Sequence, residues 1–448
     1  MTEMHYWTIA ETADRLQRGD VSVLELTEAQ LDRITAVNPE INAITTPVEE
    51  ALEVAKALDE QGRPDDAGPL WGVPVTTKIN VDQKGYPNSN GIPANADAIA
   101  TEDSPLVANL RRAGAVIVGR NNTPEFSLRW FTSNPLHGVT HNPWDKTLTP
   151  GGSSGAAAAA VAAGIGAIGH GNDLGGSLRY PAYCCGVATI RPSLGRVPSM
   201  NPTQSSMGIE RGPITQLMAV QGPIARSIAD VRAGLTAMAQ EDLRDPLWVH
   251  QASQQRDANG SLTVGYAVNP FGGQIDPAVE TAMATAVTAM KDSGATLREV
   301  IPPFAETLPA LWGTLMFTET EALIRQAIES NGSSEMWRYY QDFVGHFEPT
   351  DVRGLLQALQ KRAVCQRAWA EMFTQVDVLI LPTSLQRPFL NGLDFKDPAA
   401  LDDIVPAQSP SLRSMSWGCR PLLCQHIWMA PRRLGCNWSG RCTAMALC

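Results

Sequence analysis

Apolar residues near the amino terminus recur at the spacing of an α-helix. Leu24, Leu31 and Ile34 would share one helical face, and Asn38-Pro39 supplies residues that commonly stop a helix. We therefore predict that roughly the first 60 residues are helical and that the polar segment DEQGRPDDAGP ends this region.

Beyond that segment the pattern alternates between strands and helices. WGVPVTTKINVDQKG begins with a β-branched run and ends in turn residues, which predicts a strand with Lys78 near its end. SPLVANLRRAGAVIVGRNNTPEF predicts a helix that stops at Gly114, followed by a buried strand. This alternation continues through the Gly-rich centre of the chain and indicates an α/β fold.

The second half of the chain repeats the alternation more sparsely. SLTVGYAV, ATLREVIPP and VDVLILPTS are predicted strands, and DPAVETAMATAVTAMKDSGA is a predicted helix that starts at Asp276-Pro277 and ends before Gly294. Because no internal repeat or strong linker interrupts the pattern, we expect one domain over residues 1–405.

The last residues, 406–448, break this pattern. No acidic residue follows Asp403, and five of the eight Cys crowd the end of the chain without a clear hydrophobic period. One interpretation is an irregular extension. We favour a change of reading frame near Ser409 to Arg413, because suitable codons read in another frame encode a plausible strand–turn–strand segment. Sequencing the encoding DNA tests this hypothesis.

Charge and the amino terminus narrow the function classes. The chain has 46 acidic and 35 basic residues, a formal net charge of −11, so nucleic acid is not an expected partner. The amino terminus lacks the charged start and apolar core of a signal peptide. The most apolar run, residues 155–169, is shorter than the roughly 20 residues that span a membrane. We predict a cytoplasmic protein without a membrane partner.

The cysteines do not favour a metal site. The chain has eight of them but no CxxC pair, which argues against zinc-binding and thioredoxin-like functions. Cys184 and Cys185 are expected to be small buried residues. We expect neither a metal nor a cofactor.

Two serines lie in Gly-rich turns at the centre of the chain. Ser153 lies in TPGGSSGA and Ser177 in NDLGGSLR, where glycine lets the backbone approach a ligand closely. A serine hydroxyl needs a base, and Lys78 at the end of a buried strand would be desolvated, which lowers the pKa of an amine. Successive N–H groups in the second turn could hold an oxyanion. These candidate donors belong to Leu174, Gly175, Gly176 and Ser177.

Several segments taken together resemble the amidase-signature family of serine amidases. They are GVPVTTKINVDQKG, NNTPEFSLRW, NPWDKTLTPGGSSGA, GNDLGGSLRYPAYCCGV and RPSLGRVP. The resemblance implies an α/β fold with a central mixed, twisted β-sheet covered by helices on both faces. It also implies a catalytic triad of Lys78, a cis-bonded Ser153 and the nucleophile Ser177.

The reaction that this resemblance implies is hydrolysis of a small carboxamide. Neutral Lys78 accepts a proton from Ser153, Ser153 accepts one from Ser177, and Ser177 forms an acyl-enzyme that water hydrolyses. Asp173 and Arg179 are expected to buttress the nucleophile loop. Substrate-binding roles are expected for Ser127, Trp130 and Ser154.

The chain departs from the family pattern in two places. Ala156 stands where glycine is usual, and the family's closing segment, with a GxP turn and a G-V-Q strand, is missing from the tail. A non-catalytic relic is therefore one alternative function.

Other functions also stay open. GGSSG at residues 151–155 fits the G-x-S-x-G elbow of α/β-hydrolases, which would make Ser153 the nucleophile of an esterase with a downstream Asp and His. His137, His141 and His170 are expected to be hydrogen-bonding residues rather than bases. The chain is also compatible with the amidase component of a tRNA-dependent amidotransferase. A homodimer is a further expectation.

Overall fold

The computed structural model describes residues 3–206, 210–250 and 262–413, together with the backbone of His426–Trp428. The strands are β1 (Ile44–Pro47), β2 (Pro74–Lys78), β3 (Val116–Asn121), β4 (Ser133–Asn134), β5 (Gly138–Val139), β6 (Ile168–Asp173), β7 (Ala188–Arg191), β8 (Val220–Ala225), β9 (Thr263–Tyr266), β10 (Thr296–Glu299), β11 (Val378–Ile380) and β12 (His426–Trp428).

The α-helices are α1 (Ile9–Arg18), α2 (Val23–Ile41), α3 (Ala51–Gln61), α4 (Pro105–Arg112), α5 (Gly155–Ala162), α6 (Arg179–Cys185), α7 (Pro202–Ser206), α8 (Pro213–Met218), α9 (Ile228–Met238), α10 (Pro277–Asp292), α11 (Leu308–Leu323), α12 (Arg325–Asn331), α13 (Ser334–Val344), α14 (Val352–Met372), α15 (Leu393–Lys396), α16 (Leu401–Ala407) and α17 (Ser409–Arg413). Short 3₁₀ helices span Met4–Tyr6, Pro93–Asn95, Glu125–Ser127 and Pro398–Ala400.

The main sheet has the strand order β1-β3-β2-β6-β8-β7-β12. β2 pairs parallel with both β3 and β6, whereas β1, β8, β7 and β12 pair antiparallel with their neighbours. The sheet is therefore mixed. Because β3, β2 and β6 run in the same direction, their carboxyl ends meet at one edge, and Lys78 and Asp173 are the last residues of β2 and β6.

Helices cover both faces of this sheet. On one face α5 and α2 contribute to a hydrophobic core that includes Ala158 and Ile34. On the other face α4 and α9 contribute Leu110 and Val231 to a second core. The α/β fold with a mixed sheet between helical layers is confirmed.

A second, parallel sheet has the order β10-β9-β11. Its strands come from the three segments predicted as strands in the second half of the chain. α10 begins at Pro277 with Asp276 as its cap, and Gly294, in the left-handed region, follows it. These predictions are confirmed.

The amino-terminal prediction is correct in type but wrong in two details. β1, an edge strand of the sheet, lies between α2 and α3, and its four residues are too few to show an alternating pattern. Pro39 does not stop α2, which continues to Ile41 and ends at Asn42 in the left-handed region. The Asn38 side chain instead bonds the backbone of Ala43 and Ile44 beyond the helix end.

The predicted boundary at residue 406 falls inside α16, and the division into domain and tail stays a prediction. α16 and α17 are both described, and Leu412 is fully buried. Most of the predicted tail, residues 414–425 and 429–448, lies outside the described residues, as do the consequences of the proposed frame change. β12 pairs antiparallel with β7, with Ile427 opposite Ile190.

Two further sequence expectations concern cysteines and membrane spans. Cys184 and Cys185 are free and buried, as expected. Within the described ranges, no helix has both the length and the apolar character needed to cross a bilayer.

Candidate active site

Lys78 ends a strand whose five residues are all buried, and its own side chain has no exposed surface. Its Nζ lies 2.7 Å from Ser153 Oγ, 2.8 Å from Asn172 Oδ1 and 3.2 Å from Ser154 Oγ. Burial lowers the pKa of this amine well below its usual value, against a smaller opposing effect of the Asp173 carboxylate. A base of this kind carries a lone pair near neutral pH.

The backbone of Lys78 is held from the neighbouring strand by a neutral histidine. The Lys78 N–H donates to His170 Nδ1 over 3.4 Å, and His170 Nε2 lies 2.9 Å from Gln221 Oε1. Burial lowers the pKa of His170 to about 3, although the hydrogen bond with Gln221 opposes that shift. His170 is therefore a hydrogen-bonding residue rather than a base, as the sequence analysis expected.

The turn that carries Ser153 fits only a backbone without side chains. The Gly152-Ser153 peptide bond is cis, as the family resemblance implied. A Cβ on Gly152 would lie 2.5 Å from the Arg129 carbonyl oxygen, and one on Gly155 would lie 2.4 Å from Thr132 Oγ1. The Ser154 N–H donates to the Ser177 carbonyl oxygen, which joins this turn to the second Gly-rich turn.

The nucleophile loop is organised by the buried carboxylate of Asp173. This carboxylate accepts hydrogen bonds from the backbone N–H groups of Gly176 and Leu178 and a bidentate pair from the Arg179 guanidinium. Burial alone would raise the pKa of Asp173, but Arg179 and Arg191 lower it well below its usual value. The predicted buttressing role of Asp173 and Arg179 is consistent with these contacts.

The nucleophile loop leaves several polar groups without a hydrogen-bond partner in the described part of the chain. They are the Ser177 hydroxyl and the N–H groups of Leu174, Gly175 and Ser177, while the Gly176 N–H is directed at Asp173. Ser177 keeps 8% of its surface exposed. Three backbone donors are thus available to an oxyanion beside an accessible hydroxyl.

The residues predicted to bind substrate are placed around this loop in different ways. The Trp130 indole N–H donates to the Gly175 carbonyl oxygen over 2.8 Å, so Trp130 fixes the loop as well as lining it. Ser127 has a positive φ of 57° and its hydroxyl contacts Asn80, Asn90 and Thr123. Ser154 is fully buried against Lys78.

Sequence reasoning missed Asn172, Gln221 and Thr123. Thr123 Oγ1 donates to the Ser153 carbonyl oxygen over 3.2 Å. Asn172 and Lys78 lie near the carboxyl ends of adjacent parallel strands, which place side chains at one sheet edge. That signal becomes usable only once the strand order is known.

The arrangement lacks the features that an esterase elbow or a metal site would need. Among the residues that the structure describes, no histidine lies within hydrogen-bonding distance of the Ser153 or Ser177 hydroxyl, and Ser153 contacts Lys78 instead. The described ranges also contain no group of three His, Cys, Asp or Glu side chains placed to hold a metal ion. The geometry suits proton transfer between an amine and a hydroxyl beside a second hydroxyl.

Known proteins similar to this chain fall in one family. A family model described as Amidase matches residues 25–408. An indoleacetamide hydrolase from Bradyrhizobium diazoefficiens is 41% identical over 414 residues, covering 92% of this chain and 76% of that protein. The amidase component of a glutamyl-tRNA(Gln) amidotransferase from Chloroflexus aurantiacus is 33% identical over 435 residues, covering 90% and 86%. The structure of 6-aminohexanoate cyclic dimer hydrolase with its substrate has a TM-score of 0.80 at 25% identity, covering 99% of this chain and 92% of that one.

Proposed function

Because this chain belongs to the amidase family and hydrolyses amide C–N bonds, we propose that Ser177 is its nucleophile and that Ser153 and Lys78 form the proton relay. The observation that carries the proposal is the 2.7 Å contact between Lys78 Nζ and Ser153 Oγ in a fully buried environment. An amine there is poised to accept a proton rather than to hold one.

The relay moves protons in both directions. Lys78 takes the Ser153 proton while Ser153 takes that of Ser177, whose oxygen forms a bond to the amide carbon. The proton then returns through Ser153 to the leaving nitrogen, the C–N bond breaks, and ammonia or an amine departs. Water attacks the acyl-enzyme by the same relay, which releases the carboxylic acid and restores Ser177.

Charge on the tetrahedral intermediate would be stabilised by the nucleophile loop. The free N–H groups of Leu174, Gly175 and Ser177 are the proposed donors, and the Gly176 N–H supports the loop through Asp173. Removing one oxyanion donor typically costs about 3–4 kcal/mol of transition-state stabilisation.

For the substrate we propose a primary arylacetamide. The support is the identity with a relative named indoleacetamide hydrolase, together with aromatic side chains beside the loop. Trp130 packs edge-on against Phe343 at 5.3 Å between ring centroids, and Trp312 lies against Gly175. The identity with the amidotransferase component is lower, so glutamine is the weaker candidate.

Three alanine variants test the relay. We expect Ser177→Ala to form no acyl-enzyme by intact-protein mass spectrometry, and Ser153→Ala and Lys78→Ala to lose about 10²–10⁴-fold in kcat/KM. Lys84→Ala, which removes an exposed lysine, is the control and should match the unsubstituted enzyme. Full activity of Lys78→Ala across neutral and alkaline pH would overturn the proposed relay.

A small amide panel tests the substrate. Indole-3-acetamide, phenylacetamide, a short aliphatic amide and glutamine would be compared by ammonia release. We expect the two arylacetamides to have the highest kcat/KM. Preference for glutamine would contradict the arylacetamide proposal while leaving amide hydrolysis intact.

A further inference from the structure

The environment of the Lys78 amine has a hydrogen-bonding arithmetic that constrains the relay. A neutral amine has two N–H groups and one lone pair, so of three polar neighbours two must accept and one must donate. The three neighbours of Nζ are Ser153 Oγ, Ser154 Oγ and Asn172 Oδ1.

Asn172 accounts for one of the two N–H groups directly. Its Oδ1 lies 2.8 Å from Nζ, and a side-chain carbonyl oxygen can only accept a hydrogen bond. The asparagine is half-buried at the end of β6, next to the strand that carries Lys78.

Asn172 also governs the second N–H group through Ser154. The Ser154 hydroxyl donates to the Asn172 carbonyl oxygen and accepts from the Asn172 N–H, both over 3.3 Å. With its proton directed there, Ser154 Oγ meets the amine as an acceptor. Both N–H groups of Lys78 are then engaged, and only Ser153 remains to face the lone pair.

We propose that Asn172 is a positioning residue that sets the direction of proton transfer, by orienting the Lys78 lone pair toward the Ser153 hydroxyl. After the transfer the ammonium has three N–H groups, and the same three oxygens accept them, so no neighbour has to reorient. The inference rests on the proposed triad and adds to it the residue that determines which hydroxyl gives up its proton.

Few other titratable groups face Lys78. They are Asp173 and His170 on β6 and Arg120 on β3, whose guanidinium lies 3.4 Å from the Lys78 carbonyl oxygen. All residues of α5 and the buried residues of α2 are uncharged. Burial lowers the pKa of Arg120 to about 10 and that of His170 to about 3, so neither group titrates near pH 7.

A matched pair of variants separates this role from a structural one. Threonine and valine have the same shape and both suit a strand, but only threonine offers an oxygen to the amine. We expect Asn172→Thr to keep kcat/KM within about threefold and Asn172→Val to lose about tenfold or more. The acid limb of the pH–kcat/KM profile should move to lower pH in the valine variant, because its ammonium lacks one acceptor.

Asn109→Val is the control, since this buried asparagine bonds the carbonyl groups of Met238 and Gln240 elsewhere. It should lose stability without moving the acid limb. Equal rates and superimposable pH profiles for Asn172→Thr and Asn172→Val would overturn the inference. If Lys78→Ala is inactive in the same assays, that result removes the role of Asn172 and leaves the triad standing.

A charged variant decides the question if the valine variant does not fold. Asn172→Asp places a carboxylate beside the ammonium, so the acid limb should move about 1–3 pH units toward alkaline pH. An unmoved limb in this variant would overturn the inference.

Discussion

At the scale of single residues, the site depends on which buried groups are charged. Asp173 is charged and paired with Arg179, whereas Lys78 and His170 are held neutral by burial. A neutral His170 can accept from the Lys78 N–H through Nδ1 and donate to Gln221 through Nε2. Protonation would remove that acceptor.

His170 therefore predicts a specific pH dependence of stability. Its pKa is about 3 when folded and about 6.5 when unfolded, so its contribution is fully present above about pH 6.5 and is lost as the pH falls toward about 3. Between pH 7 and pH 5 this linkage removes about 2 kcal/mol from the free energy of unfolding. Urea titrations should show that His170→Asn loses less stability over this interval than the unsubstituted enzyme. Parallel losses in both proteins would contradict the prediction.

The residues of the triad could be predicted from the sequence, but their supporting groups could not. Lys78, Ser153 and Ser177 lie in short motifs whose glycines and flanking residues are readable in order along the chain. Asn172 and Gln221 act only through neighbours in space. Their importance follows from the pairing of β6 with β2 and β8, which no local pattern encodes.

At the scale of elements, the close approach of β6 to the start of α5 brings the two serine turns together. Gly169 and Gly171 alternate along β6 and so present the same face to α5. A Cβ on Gly169 would lie 2.9 Å from the Ala157 carbonyl oxygen, and one on Gly171 would lie 2.7 Å from Ser154 Oγ. The first contact concerns packing and the second concerns the site.

Alanine at these two glycines should therefore have different consequences. We expect Gly169→Ala and Gly171→Ala each to lose about 1–3 kcal/mol of stability through overpacking. Only Gly171→Ala should also lose activity in its folded fraction, because it displaces the Ser154 hydroxyl from Lys78. Thermal denaturation and active-site titration of the folded protein measure the two effects. Equal specific activities would show that the Ser154 position is unimportant.

At the scale of the whole molecule, helix α17 connects the second sheet to the nucleophile loop. Ser411 Oγ donates to the Thr383 carbonyl oxygen, three residues after β11, and the Ser411 carbonyl oxygen accepts from Arg179. Strand and helix types in this half of the chain were predictable from local patterns. That β9, β10 and β11 form a separate sheet was not, because pairing partners far apart in sequence leave no periodic signal.

The contact between Ser411 and the nucleophile loop gives a final prediction. A Cβ on Gly176, which has a φ of +100°, would lie 2.8 Å from Ser411 Cβ, so the two backbones are already close-packed. Ser411→Ala removes only the hydrogen bond to Thr383, and we expect it to cost about 0.5–1.5 kcal/mol of stability with little change in acylation rate.

Ser411→Leu instead adds a side chain where the loop has no space, so it should displace Gly176 and the oxyanion donors on either side of it. The rate of acylation, followed as a pre-steady-state burst, should fall by about 10²-fold or more, the typical cost of losing one oxyanion donor. Because the substituted helix lies more than 230 residues along the chain from the nucleophile, such a loss would indicate that α17 fixes the geometry of the loop. A leucine variant that folds and acylates at the rate of the alanine variant would instead show that the nucleophile loop holds its geometry without α17.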